Sequence, residues 1–520
     1  MKKQSRYTTQ VAAIVALGGL LMGFDASVIS GVNKFVQLDF QLTDLELGFS
    51  VSSLTIVAAL AMMVSGPLSD RYGRRVLLKY CAVIFTISAV GSALAPNFTL
   101  FLIFRMLGGI GVGASLILAP MYIAEVAPPE SRGKLVSFNQ LNIVVGISLA
   151  FFSNYLILSF SDSDAAWVSQ LGLAEHNWRW MLGVEALPAV LYFFGLYAVP
   201  RSPRWLIMKQ REEEARAVML KFTSAERTET DIKSIKEALK SDTRKKRTPI
   251  KELFKPAFKL VLTIGIVIGV LQQITGINSV FFYAPMIFEQ SGIGTDASFI
   301  QAILVGLTNL VFTILAMALI DRLGRKPLLM IGVAGIAIFM FVLAYGFNSA
   351  NYSLSKDKIE VLSDDINKEA LYLLDGQSFA NDVIYKEALR KQLGDQAAKA
   401  YESELITAAI DMNPTLILIG IIGFVASFAI SLGPVMWVLF SELFPLKIRG
   451  LAISAVGFLN SAVSALVQFL FPWELSTIGS APTFLIYGIL AAVGLIYIFI
   501  KLPETKGRSL EELESILIKN

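Results

Sequence analysis

Twelve apolar segments divide the 520-residue chain, most of them about 20 residues long, which is what an α-helix needs to cross ~30 Å of hydrocarbon. They fall near residues 10–31, 48–69, 76–94, 98–122, 134–158 and 178–199, then near 259–289, 298–320, 327–347, 414–440, 449–471 and 482–501. With 55% hydrophobic and only 17% charged residues the chain cannot be an ordinary soluble enzyme. The first segment is not a cleavable signal peptide, because Asp25 interrupts it and further membrane-type segments follow directly. A net charge of +4, dispersed along the chain, gives no nucleic-acid footprint. The lone Cys81 has no intramolecular disulfide partner, and the lone His176, near a loop, makes no histidine metal site. There is no nucleotide loop, metal cluster or catalytic-triad spacing, so neither an enzyme nor a cofactor is expected.

The loop chemistry occurs twice. Asp70-Arg71-Tyr72-Gly73-Arg74-Arg75 returns as Asp321-Arg322-Leu323-Gly324-Arg325-Lys326, and Glu125-x-x-Pro128-x-x-x-Arg132-Gly133 returns as Glu442-x-x-Pro445-x-x-x-Arg449-Gly450. Two related membrane halves around a shared cavity are the plan of a transporter. The first motif pair is offset by 251 residues (321 less 70) and the second by 317 (442 less 125), so about 66 residues were added between them in the second half.

Loops with Arg71, Arg74, Arg75, Arg132, Lys134, Arg322, Arg325, Lys326, Lys447 and Arg449 share one side, whereas the short opposite loops hold almost only Lys34. The positive-inside rule then puts both termini in the cytoplasm of a multi-pass cell-membrane protein. Four parts follow: a six-helix bundle over 1–202, a cytoplasmic helical linker over 203–255, a second six-helix bundle over 256–501, and a short cytoplasmic tail over 502–520. Residues 349–411 interrupt the second bundle on the extracytoplasmic side. This insertion carries 12 acidic and seven basic residues, with Ile359, Leu362, Ile366, Leu371 and Leu374 at near-helical spacing, and reads as short amphipathic helices forming a passive cap, with a lid or partner dock as the alternative.

In this order, the residues resemble the sugar porter family of the major facilitator superfamily, which includes bacterial proton-coupled sugar symporters and animal glucose facilitators. Besides the repeated loops, the resemblance rests on Gly23-Phe24-Asp25, Pro200-Arg201-Ser202-Pro203-Arg204-Trp205-Leu206, Gln272-Gln273-Ile274-Thr275-Gly276-Ile277-Asn278, Gly433-Pro434-Val435-Met436-Trp437 and Pro503-Glu504-Thr505-Lys506-Gly507-Arg508. It covers nearly the whole chain apart from the insertion. It implies an all-α membrane protein with twelve transmembrane helices in two pseudo-symmetric six-helix bundles, the major facilitator fold.

The residues themselves say what such a pathway would hold. A straight helix could not aim Gln272, Gln273 and Asn278 at one small ligand, since the first two point roughly 100° apart; the seventh span must bend near Gly276 or Pro285. Amides suit sugar hydroxyls because each offers donors and an acceptor without a buried charge, although amides also hold membrane helices together. The resemblance adds Gln140, Asn309, Trp437 and Asn460 to this substrate-binding set. Trp437 follows Gly433-Pro434, which is expected to break the tenth span and turn the ring toward a pyranose or cyclitol face. Ser461 and Met22 stand where many family members carry Trp and Phe, so the particular sugar stays open.

Asp25 is a carboxyl inside an apolar span, where an unpaired charge costs several kcal/mol. Arg105 of the fourth span is its expected partner, either as a permanent pair or as a proton-coupling device. Proton-coupled family members resemble this chain in having Asp here, and the resemblance adds Glu185 as a residue that positions Arg105. Asp70, Arg74, Glu125, Arg132, Asp321, Arg325, Glu442 and Arg449 lie at the inner helix ends, with spacing that permits ion pairs across the bundles as a conformational gate. The expectation is alternating-access transport of a monosaccharide or polyol, in symport with a proton. An uncoupled facilitator and a non-transporting sugar sensor are the alternatives.

Overall fold

The computed structural model describes residues 2–244, 249–445, 447–507 and 512–513. Its first five helices follow the hydropathy pattern: α1 (Lys2–Asp39), α2 (Asp44–Tyr72), α3 (Arg74–Ala93), α4 (Phe98–Val126) and α5 (Pro129–Ser161). A short α6 (Ala166–Gln170) leads to the sixth expected span, which is not one helix but two, α7 (Asn177–Gly183) and α8 (Ala186–Gly195). Pro188 explains the division. It has no N–H to give the Val184 carbonyl, and its ring crowds that carbonyl, so the chain turns at Val184 and Glu185.

The polar stretch that follows is helical: α9 (Pro203–Met208), α10 (Glu212–Met219) and α11 (Ala225–Arg244). They share a small core of Trp205, Leu206, Ile207, Ala215, Met219 and Ile232, which an unstructured connector would lack. After two 3₁₀ turns come α12 (Lys259–Ile274), α13 (Ile277–Glu289), α14 (Thr295–Leu323) and α15 (Arg325–Asn348). The inserted residues form α16 (Lys356–Glu360), α17 (Lys368–Leu371), α18 (Asp382–Leu393), α19 (Asp395–Ala400) and α20 (Glu402–Ala409). Last come α21 (Pro414–Ile430), α22 (Leu432–Leu443), α23 (Arg449–Thr477) and α24 (Ser480–Lys501). Among the described residues, eleven helical stretches are long and apolar enough to cross a membrane, with α12–α13 and α21–α22 each counted as one; the divided α7–α8 pair stands at the remaining position. Of the expected tail, Arg508 and most residues beyond it lie outside the described residues.

The chain forms two compact units. One comprises Met1–Val28, Ser53–Ala150 and Arg179–Pro249, and the other Ile29–Ser52, Phe151–Trp178 and Ile250–Asn520. Small residues let helices approach within the first unit: a β-carbon on Gly23 would stand 2.0 Å from the Ile143 carbonyl oxygen, and one on Gly146 would stand 2.1 Å from that of Leu20. Such reciprocal contact between α1 and α5 replaces the hydrophobic drive that lipid cannot supply.

In the second unit the insertion has its own architecture. Strands β1 (Asn351–Ser353), β2 (Ser378–Phe379) and β3 (Ile410–Asp411) form an antiparallel sheet in the order β2-β1-β3. Asn351 pairs with Asp411, so the two ends of the insertion meet and its length does not disturb α15 or α21. Ile359, Leu362, Ile366, Leu371 and Leu374, the residues read as helical stripes, join Tyr352, Tyr385, Leu389 and Leu405 in one buried core.

Candidate functional site

In the first unit, the close approach of α1 places Asp25 inside the helix cluster. Arg105 Nη1 of α4 donates to Asp25 Oδ1 at 2.5 Å, and the side chains are only 1% and 2% exposed for Asp25 and Arg105. The second carboxyl oxygen, Oδ2, has no hydrogen-bond partner among the described residues. It occupies the space left by Gly108, where a β-carbon would lie 2.8 Å from it. Glu185 sits at the α7–α8 break and is buried, within interaction range of both Asp25 and Arg105; its Oε1 likewise has no partner among the described residues. Two acids and a guanidinium thus share one buried region, each acid with an oxygen that has no partner among the described residues.

In the second unit the expected bend is real. Gly276 adopts φ +85° between α12 and α13, a left-handed conformation that a side chain would strain. A second irregularity follows at Tyr283 (φ −125°, ψ 17°), two residues before Pro285. The first bend brings amides together that a straight helix would separate. Asn278 Nδ2 donates to Gln273 Oε1 at 2.9 Å, Gln273 Nε2 to Asn460 Oδ1 at 3.2 Å, and Asn460 Nδ2 to Gln272 Oε1 at 2.9 Å. Gln272 Nε2 donates to the Leu432 carbonyl at 2.9 Å, so this amide also ties α12 to the break in the tenth span.

The tenth span is broken as expected. The turn lies at Ser431 (φ −126°, ψ −96°), three residues before Pro434, which has no N–H to give the Ile430 carbonyl, just as Pro188 has none for Val184. Pro434 falls in the first turn of α22, where a missing N–H costs nothing. Trp437 is 46% exposed and lies over Gly457 of α23, whose β-carbon would be 3.6 Å from its ring. Gly457 lies on the same face of α23 as Asn460 of the amide ring, one turn away.

Sequence reasoning missed Ser464 and Gln468. Asn278 Nδ2 also donates to Ser464 Oγ at 2.6 Å, Gln468 Nε2 donates to the same oxygen at 2.7 Å, and Tyr283 donates to the Gln468 carbonyl at 3.0 Å. The signal was a polar stripe on α23, with Asn460, Ser464 and Gln468 four residues apart. Of the other expected members, Asn309 is buried in α14 of the second unit without joining the ring, and Gln140 is an exposed residue of α5 in the first unit.

The repeated loop charges pair inside their own halves. Arg74 Nη2 meets Asp70 at 2.8 Å and Glu125 at 3.1 Å, and Arg325 Nη2 meets Glu442 at 2.9 Å. Each glutamate takes a second, unforeseen donor: Ser202 Oγ to Glu125 at 2.5 Å, and Thr505 Oγ1 to Glu442 at 2.6 Å. The two hydroxyls occupy the same place in Pro200-Arg201-Ser202 and Pro503-Glu504-Thr505, so the repeat extends to a third motif. Glu504 accepts the Arg325 and Lys326 backbone N–H groups at 3.1 and 3.0 Å, a carboxylate at the N-terminus of α15. Arg449 Nε donates to the Phe444 carbonyl at 2.9 Å, and Arg132 lines a cavity with Glu125 and Arg227. The side chain of Asp321 lies outside the described residues.

The family model for sugar (and other) transporters matches residues 11–359 and 397–517. The chain belongs to this sugar transporter family. It is 33% identical to the D-xylose-proton symporter of Escherichia coli (strain K12) over 544 aligned residues, covering 98% of this chain and 96% of that protein. Identity to the arabinose-proton symporter of Bacillus subtilis is also 33%, over 98% of this chain and 95% of that protein. Among solved structures it resembles the E. coli xylose transporter XylE (TM-score 0.73, 32% identity, 98% of this chain and 99% of that one). It also resembles the proton:xylose symporter XylE bound to 6-bromo-6-deoxy-D-glucose, a major facilitator superfamily protein (TM-score 0.68, 33% identity, 99% of this chain and 100% of that one). The fold is that of the major facilitator superfamily.

Proposed function

We propose that this sugar transporter carries a monosaccharide or polyol together with a proton across the cell membrane by alternating access. The Asp25 carboxyl is the proton-carrying group, and the Gln272, Gln273, Asn278 and Asn460 amides with Trp437 are the sugar-binding surface. The observation that carries the reading is the buried Asp25–Arg105 pair with Oδ2 left over and with Glu185 within interaction range of both groups. Were both acids ionised, one buried negative charge would stand uncompensated by Arg105. A charge so placed in a membrane interior costs several kcal/mol, so the group takes up a proton instead. Protonating Asp25 weakens its hold on Arg105 and leaves the guanidinium to Glu185. That exchange of partners gives the proton leverage over the helices that carry the three groups.

The relatives named as sugar–proton symporters support the coupling, and the amide ring supports a neutral, hydroxyl-rich substrate. The halves at 1–202 and 256–501 are the alternating bodies, the 203–255 linker and both termini are cytoplasmic, and the 349–411 insertion lies on the opposite side. Asp70, Arg74, Glu125 and Arg132, with Asp321, Arg325, Glu442 and Arg449, serve as the gate at the cytoplasmic helix ends. In proteoliposomes with an imposed pH gradient, Asp25→Asn should abolish uphill sugar accumulation and leave counterflow measurable, because the amide keeps the shape but exchanges no proton. Accumulation equal to the wild type would overturn the symport reading and leave an uncoupled facilitator.

A further inference from the structure

The insertion does more than cover a surface. Within the second unit its side chains reach the ends of four separate helices. Lys399 Nζ donates to the Leu42 carbonyl and to Asp44 Oδ1, both at 3.4 Å, at the turn between α1 and α2. Glu402 Oε1 accepts from Lys386 Nζ at 2.9 Å within the insertion and from Gln290 Nε2 at 2.9 Å, just beyond α13. Asp382 Oδ2, buried, accepts from the Ser480 N–H at 3.0 Å and its hydroxyl at 2.8 Å. It thereby supplies the N-terminal cap of α24 that Gly479, without a side chain, cannot give.

Beneath these contacts α1 grips α13 directly. Lys34 pairs with Glu289 at 2.9 Å and donates to Thr295 at 2.8 Å. Asn33 Nδ2 donates at 2.8 Å to the Phe282 carbonyl, beside the irregular Tyr283. α13 is therefore held at its far end by Lys34 and, through Gln290, by the insertion. At its near end it carries Asn278 of the amide ring, so one 13-residue helix joins the sugar-binding amides to the insertion.

We propose that the 349–411 insertion is a clasp: it fastens the far end of α13 to the α1–α2 turn, and its ionic contacts must release for α13, and Asn278 with it, to move during transport. The proposal rests on the alternating-access reading above and replaces the passive cap expected from sequence. Ion pairs suit the task because their side chains, partly open to water, can break without exposing apolar core. Asp382 and the small sheet stay in place and keep the insertion attached.

The test uses the full chain with Cys81→Ser and a reporter, Met286→Cys, on α13, where Met286 borders a small cavity also lined by Lys386, Lys399 and Glu402. Labelling by a membrane-impermeant maleimide is followed in proteoliposomes. Lys399→Ala and Glu402→Ala should each speed labelling roughly threefold, and the charge swap Lys399→Asp with Asp44→Lys should return the rate toward that of the reporter chain. Unchanged labelling in both single variants, each eluting and melting as a folded protein, would overturn the clasp. Labelling needs no substrate. A chain that labels as expected but accumulates no sugar keeps the clasp and loses only the transport reading.

Discussion

The two polar sites in this protein are built on opposite principles although their surroundings are repeats of each other. In the first half, Asp25, Arg105 and Glu185 are ionisable groups buried from water, and each of the two acids has an oxygen without a partner among the described residues. In the second, Gln272, Gln273, Asn278 and Asn460 are neutral and donate to one another in a chain. The loop clusters at the helix ends stayed alike, Arg74–Glu125–Ser202 against Arg325–Glu442–Thr505. A buried charge is expensive and therefore sensitive to a proton, whereas a buried amide ring is cheap and indifferent to pH. Under the proposed function, duplication followed by divergence of the interior puts energy coupling in one half and recognition in the other.

The comparison breaks most readily at its charged side. Arg105→Met removes the cation and leaves Asp25 either buried as an unpaired charge or permanently protonated, a loss of about 3–5 kcal/mol when one partner of a buried pair is removed. Thermal unfolding in detergent should show a large drop in melting temperature, and Asp25→Asn added to Arg105→Met should recover part of it. Failure of the second substitution to recover any stability would mean that the pair is not the source of the loss.

The neutral side should respond less, and in binding rather than in coupling. Gln273→Ala and Asn278→Ala each leave a hydroxyl of the sugar, or a neighbouring amide, without its partner. Affinity should fall by about 1–3 kcal/mol, read by calorimetry against pentoses, hexoses and polyols, with the pH dependence of transport unchanged. Native affinity in both variants would place the sugar elsewhere.

The conserved pattern between the halves offers a finer comparison. Ser202→Ala and Thr505→Val each remove one hydroxyl donor to a repeated loop glutamate, worth about 1–2 kcal/mol. Glu125 is 7% exposed and Glu442 22%, so water can replace the lost donor more easily at Glu442. The melting temperature should therefore fall further for Ser202→Ala than for Thr505→Val; the reverse order would show that the clusters are not equivalent in the way their motifs suggest.

Much of this was legible in the sequence because the bilayer enforces run length, and runs of about 20 apolar residues are visible without any contact information. The bend at Gly276 was legible because three amides in seven residues made no sense on a straight helix. The break in the sixth span was not, since the apolar run over 178–199 is long enough to span whether or not Pro188 divides it. Strands of two or three residues carry no periodicity, and β1 finds β3 only because the ends of the insertion meet. Ser202 and Thr505 were invisible for a related reason: their glutamate partners are 77 and 63 residues away in the chain, and a single hydroxyl does not announce so distant a partner. Ser464 and Gln468 formed a stripe that could have been read, had the polar face of the eleventh span been traced beyond Asn460.

The smallest expected effect contrasts the insertion with both buried sites, and it follows from pH. Burial raises the affinity of Glu402 for a proton, but the Lys386 charge, with hydrogen bonds from Lys386 and Gln290, more than offsets this and holds the carboxyl below its ordinary value of 4.5. A carboxyl depressed in the folded state binds protons more tightly when unfolded, so its contribution is fully present above the unfolded value and disappears as pH falls through the folded one. Melting curves of wild type and Glu402→Gln should therefore differ at neutral pH, with the wild type higher, and should converge as the pH is taken below about 4.5. The glutamine keeps the hydrogen-bonding shape but loses attraction to Lys386, so what converges is the ionic part alone. A gap that stayed constant down to pH 4 would assign the stabilisation to packing around α20 and not to the Glu402–Lys386 charge pair.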